Sequence, residues 1–148
     1  MKNISIFTNA NFYNMTEKIN LTGRWRFQED FGFGKDSGYA ELNQKGNHLK
    51  GVLRFSEQIE GEETFIVKQE IAGRINGTKV NLKSHSCEIL FSDEDIIYEL
   101  DTWEGEILPN GKISGNSRDA EGTGGSFTME RESFETSDLT DDHYFGLN

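Results

Sequence analysis

Leu21-Thr22-Gly23-Arg24-Trp25-Arg26-Phe27 alternates: Leu21, Gly23, Trp25 and Phe27 fall on one parity, and Thr22, Arg24 and Arg26 on the other. A period of two is the mark of a strand with one face in a core and the other in water. The glycine between two large inward residues leaves room for a neighbouring strand or an indole to approach closely. The same apolar-x-Gly-x-apolar pattern recurs at Leu49-Lys50-Gly51-Val52-Leu53, Ile71-Ala72-Gly73-Arg74-Ile75 and Trp103-Glu104-Gly105-Glu106-Ile107, and more weakly at Ile113-Ser114-Gly115-Asn116-Ser117.

Working outward, the first strand is expected over 20–29, ending in a loop over 30–36 that carries Phe31 and Phe33 among its glycines. A second strand over 38–44 places Ala40, Leu42 and Gln44 on one face, and Gly46-Asn47 turns it into a third with Leu49, Gly51, Leu53 and Phe55 inward. Phe65, Val67, Gln69, Ile71 and Ile75 share one face of a fourth strand, and Asn76-Gly77 is a favoured hairpin turn. The fifth strand directs Val80, Leu82, Ser84 and Ser86 inward, with a change of phase, hence a bulge, from Cys87 to Phe91. After the acidic turn Ser92-Asp93-Glu94-Asp95, a sixth strand brings in Trp103, Gly105 and Ile107. Continued backwards, its register turns Glu99 and Asp101 inward; a bulge would put Tyr98 and Leu100 there instead. Two further strands, 112–118 and 125–131, complete eight in sequential hairpins. Closing such a meander into an antiparallel up-and-down barrel removes both exposed edges, so an all-β barrel over 19–132 is expected, with a loose leader over 1–18 and an acidic tail over 133–148.

Composition narrows the functional classes. The 148 residues suffice for one domain with a real core. Aromatic content of 11% and Gly 16 against Pro 1 fit short coiled strands better than disorder. A net charge of −11 without a lysine and arginine cluster opposes a nucleic-acid partner. One cysteine, Cys87, excludes an internal disulfide framework, and no apolar stretch approaches a membrane helix, which together give an expectation of a cytoplasmic protein off the membrane. His48, His85 and His143 lie on separate elements without ligand spacing, so neither a metal nor another cofactor is expected.

Gly23-x-Trp25 on the first strand, with Arg131 inward on the last, resembles the pattern of the calycin superfamily, the lipocalins and their avidin-like relatives. The resemblance implies an eight-stranded barrel whose first-strand tryptophan packs against a last-strand basic residue at the closed end, the roles of Trp25 and Arg131 here. The chain lacks the lipocalin Thr-Asp-Tyr motif, a disulfide pair and a helix after the barrel, so the resemblance carries architecture and not a ligand.

An eight-stranded barrel is either filled by its side chains or holds one small ligand. The first functional expectation is therefore a binder of a small hydrophobic or amphipathic molecule. Leu42, Phe55, Phe65, Val67, Leu82, Trp103 and Phe127 would wall its cavity, Gln44, Gln69 and Ser84 would orient the ligand, and Phe31 and Phe33 would close the mouth. A second is a barrel enzyme for cyclisation or isomerisation, with Glu99, Asp101 or Tyr98 as acid or base. A third is an inhibitor or immunity-type protein, its interior filled and its acidic surface laid on a basic protein partner or engaged in a homodimer. In each case the same polar residues have a structural alternative, as groups hydrated at the barrel ends.

Overall fold

The computed structural model describes residues 19–92, 96 and 98–132; the expected leader and tail, and a suggested docking of Tyr144-Phe145, lie outside the described residues. Eight strands follow one another: β1 (Gly23–Asp30), β2 (Gly34–Lys45), β3 (His48–Ile59), β4 (Phe65–Asn76), β5 (Lys79–Phe91), β6 (Asp101–Ile107), β7 (Ile113–Asp119) and β8 (Gly124–Arg131). Each pairs antiparallel with the next, and β1 also pairs with β8 through Trp25↔Arg131, Phe27↔Met129 and Glu29↔Phe127, closing the barrel. No described segment forms a helix long and apolar enough to cross a membrane.

The inward parity read from the sequence is the buried one. Leu21, Trp25 and Phe27 are buried, and so are Leu49, Leu53 and Phe55 on β3, Val67 and Ile71 on β4, and Phe127 and Met129 on β8. Phe27 sits at the centre, its ring 5.8 Å from Phe55, 6.2 Å from Trp103 in an edge-on contact, and 6.3 Å from Phe127. The glycines of the recurring motif let strands coil tightly. A side chain at Gly51, Gly73 or Gly115 would run into the carbonyl of Glu41, Asn81 or Glu104 on the adjoining strand.

One end of the barrel is sealed. The Arg131 guanidinium lies 4.5 Å from the centre of the Trp25 ring and donates to the carbonyls of Thr22 (2.9 Å) and Asn20 (2.5 Å), while the Trp25 indole N–H donates to the carbonyl of Leu21 at 2.9 Å. The expected pairing of Trp25 with Arg131 is thus present. Gln44 is here too: its Oε1 accepts from the Leu21 N–H at 2.8 Å and its Nε2 donates to the Gly46 carbonyl at 2.9 Å.

At the other end the strands depart from expectation in three places. β2 begins at Gly34, four residues early, because Gly34 and Asp36 extend the alternation of Ala40 and Leu42. In β5 the shift comes earlier than expected, with Glu70↔Ser86 followed by Ile71↔Ser84, and a second shift sets Ile66↔Phe91 beside Val67↔Ile89. The first extra residue leaves Ser84 buried but puts Ser86 on the exposed side, contrary to the uninterrupted register. Finally, β6 starts only at Asp101 and pairs with β5 only over Lys79–Lys83. The upper half of β5 splays away from β6, and Tyr98 packs beside the opening, its ring 6.0 Å from Phe55 and 6.2 Å from Phe65.

Candidate functional site

Four acids continue the inward alternation of their strands past the apolar core: Glu29 after Trp25 and Phe27, Asp36 before Ala40, Glu57 after Leu53 and Phe55, and Asp101 before Trp103. Each lies near a strand end, and all four ends meet at the unsealed mouth. There they line a cavity of about 300 Å³ with Tyr98, the phenylalanines Phe31 and Phe33, and the acids Glu99, Asp119 and Glu121 nearer its rim. No lysine, arginine or histidine is among the described residues lining it.

The barrel supplies hydrogen-bond donors to three of the four inner acids. Glu29 accepts from the Trp103 indole at 3.2 Å and from the Ser117 hydroxyl at 2.7 Å. Asp101 accepts from Gln69 Nε2 at 2.8 Å, and the Ser84 hydroxyl, inward in step with Val80 and Leu82, accepts from the Asp101 backbone N–H at 2.8 Å. Glu57 accepts from the Tyr98 hydroxyl at 2.8 Å. Asp36 is the exception: it is 3% exposed, yet no donor among the described residues reaches its Oδ1. Its carboxyl instead meets that of Glu57.

Burial sets the protonation of this cluster, because an ion held away from water is disfavoured and like-charged neighbours add to the penalty. Desolvation raises the Asp36 carboxyl well above the ordinary range, reinforced by the hydrogen bond with Glu57 and by the charges of Glu57, Glu29 and Asp101. Asp36 therefore keeps its proton at neutral pH, held in the hydrogen bond with Glu57. Asp101 is pushed up to about 7 by burial, the Gln69 hydrogen bond opposing the shift and the charges of Glu29, Asp119 and Glu57 adding to it. Glu29 is raised by burial despite its two donors. The Tyr98 phenol is raised by burial and by the surrounding carboxylates, and so stays a donor. Cys87, also inward, is pushed up to about 11 by burial, Asp101 and Glu57, which leaves the thiol protonated and unreactive at neutral pH.

The residues singled out from sequence divide into three places. Asp101, Tyr98, Glu99, Phe31 and Phe33 come together at the mouth, with Phe31 and Phe33 edge to face at 4.8 Å and Phe33 60% exposed. Asp101 takes the inward position that the uninterrupted register gave it; Tyr98 and Glu99 precede the strand, and Leu100 is exposed. Gln69 and Ser84 lie fully buried beneath, holding Asp101. Phe55, Leu82, Trp103 and Phe127, expected as cavity wall, pack in the core with Leu42 and Val67 instead. Phe65, also in that core, borders a separate depression of about 400 Å³ that shares Glu57 and Tyr98. Gln44 is at the sealed end, where Leu21 and Gly46 occupy it.

Asp36, Glu57 and Glu29 were missed, although their parity was legible. Acids next to glycines and turns read as polar strand ends, and only the splay and closure of the barrel show that such ends are enclosed. Comparison of the chain with protein-family models, characterised proteins and solved structures finds no match.

Proposed function

We propose that this chain is a calycin-like barrel that binds a small amphipathic molecule at its acidic, aromatic-walled mouth rather than in its interior. The calycin-like reading draws on the closed eight-stranded meander together with Trp25 beneath Arg131 at the sealed end. The observation that carries the site is Asp36: a carboxyl 3% exposed, with an oxygen that no donor among the described residues reaches, on the wall of a cavity of about 300 Å³. A buried polar atom left unsatisfied is costly, so a ligand that supplies a donor gains more there than it would in water. Phe31, Phe33 and Tyr98 offer the apolar surface for the rest of the molecule. Native mass spectrometry of protein isolated from its own cells, followed by melting with and without the retained molecule, tests the reading. Stabilisation that Phe33→Ala and Asp36→Asn both weaken is expected, and a ligand whose effect neither variant changes refutes the site.

The carboxyl pair favours a second reading, an acid–base isomerase or cyclase in which Asp36 gives a proton to bound substrate and Glu57 or Asp101 takes one. Under it, Asp36→Asn abolishes turnover while binding persists. A packed interior also accords with the protein-binding alternative, for which the expected signature is affinity to a basic partner that falls steeply with salt.

A further inference from the structure

The reading that the mouth binds a small molecule leaves its charge open, and the arrangement of acids decides it. Seven of the twelve described residues lining the cavity are aspartate or glutamate, and none of those twelve is basic. A cleft so lined concentrates cations and repels anions. Among the described residues no three acidic, histidine or cysteine side chains converge tightly enough to hold a metal ion. The lining suits a bulkier cation, with several N–H donors to meet the carboxyls and an apolar body to meet Phe31 and Phe33. Phe31 and Phe33 add ring faces and edges at the mouth, a surface suited to such a body and, where a ring face is presented, to the cation itself.

The hydrogen-bond accounting locates the head group. Glu29 and Asp101 are supplied from within the barrel, whereas among the described residues the Asp36–Glu57 pair has the Tyr98 hydroxyl and the proton between them, and Asp36 Oδ1 has no partner. We propose that the mouth is a site for a protonated primary amine with an aliphatic or aryl-alkyl body, whose ammonium replaces the shared proton between Asp36 and Glu57. In the free protein the pair is one carboxylic acid and one carboxylate. In the complex it is two carboxylates bridged by R–NH₃⁺, and one proton passes to solvent. No covalent bond forms and charge balances, one cation entering as one proton leaves.

The described groups facing the pair all act in the same sense. Glu29 from β1, Asp101 from β6, Asp119 from β7, and Glu99 and Glu121 near the rim are acidic, and the Tyr98 hydroxyl remains bonded to Glu57. Below the pH at which the pair loses its proton unaided, affinity for the amine therefore rises with pH, by about tenfold per pH unit when one proton is exchanged.

Titration calorimetry on the full chain at pH 6, 7 and 8 tests this, with 2-phenylethylammonium and n-hexylammonium as probes, 2-phenylethanol as the neutral isostere, 3-phenylpropanoate as the anion, and calcium and magnesium alone. Repeating it in buffers of different ionisation enthalpy counts the protons released. The expected result is ammonium binding at least tenfold tighter than the alcohol, no measurable propanoate or metal binding, and release close to one proton. Asp36→Asn and Glu57→Gln, each checked for an unchanged circular dichroism spectrum, should remove both the release and most of the affinity. If the alcohol binds as well as the amines, or if propanoate binds, the mouth is still a small-molecule site and the ammonium inference falls. Amine binding without proton release, or preferential binding of a divalent metal, likewise overturns it. If no probe of any charge binds, the inference and the small-molecule reading fall together.

Discussion

Replacing Asp101 by asparagine should make this protein more stable at pH 8 and leave it nearly unchanged at pH 4. Asp101 is 7% exposed, and its side chain accepts the amide of Gln69, a bond that an asparagine carbonyl oxygen can keep. The substitution therefore removes a buried charge while preserving shape and the main polar contact. Burial and the neighbouring acids move the carboxyl from its ordinary 3.8 to about 7 in the folded chain. Between those values the folded state holds a proton that the unfolded state has lost, so stability falls as pH rises through the window. At 1.36 kcal/mol per pH unit the full shift corresponds to about 4 kcal/mol above pH 7, and about 2–4 kcal/mol is the range to look for once solvent relaxation around the mouth is counted. Urea unfolding followed by tryptophan fluorescence from pH 4 to 9 reads this directly, since Trp103 lies beside the cluster and Trp25 at the far end. The quantity of interest is the difference between variant and parent curves, in which the general repulsion of a chain with net charge −11 largely cancels. A difference that stays flat across the window, or a variant less stable than its parent at pH 8, would refute the protonation scheme and with it the idea that burial governs the mouth.

Removing the seal of the closed end by Arg131→Met should lower stability by about 1–3 kcal/mol at all pH values, through loss of the stack on Trp25 and of two bonds to backbone carbonyls, without changing binding at the mouth; denaturant titration checks the first and the amine titration the second. Gly38→Ala and Gly73→Ala should each cost about 1–3 kcal/mol or prevent folding, because the added methyl meets the carbonyl of Arg54 or Asn81 on the paired strand. The same change at Gly46, where nothing lies within 4 Å but φ is +61°, should cost about 1 kcal/mol from backbone strain alone, and melting temperatures rank the three. Tyr98→Phe takes the donor from Glu57 and should destabilise by about 1–2 kcal/mol, which denaturant titration reads.

The alternation that begins at Leu21 determined the all-β architecture, the number of strands and the buried face, because a period of two leaves few ways for eight consecutive hairpins to bury one side. The pairing of Trp25 with Arg131 was expected from resemblance alone, and the register in which the first strand meets the last provides it. Parity even pointed Glu29, Asp36 and Glu57 inward, had it been followed beyond the last apolar residue of each strand. What the sequence could not decide was whether those ends were hydrated or enclosed. That depends on barrel radius and side-chain volume: Phe27, Phe55, Trp103 and Phe127 pack against one another in the middle, and the cavity that gathers the acids lies beyond them at the mouth. It depends also on Ser84 meeting the backbone of Asp101 where β6 begins, and on the β5 bulge and splay beyond it, where Tyr98 packs. Strand pattern is local and survives in one dimension. A cluster of acids drawn from β1, β2, β3 and β6 exists only once the sheet has closed, because its members are separated by up to 72 positions in the chain, as Glu29 is from Asp101, and meet solely through the curvature of the barrel.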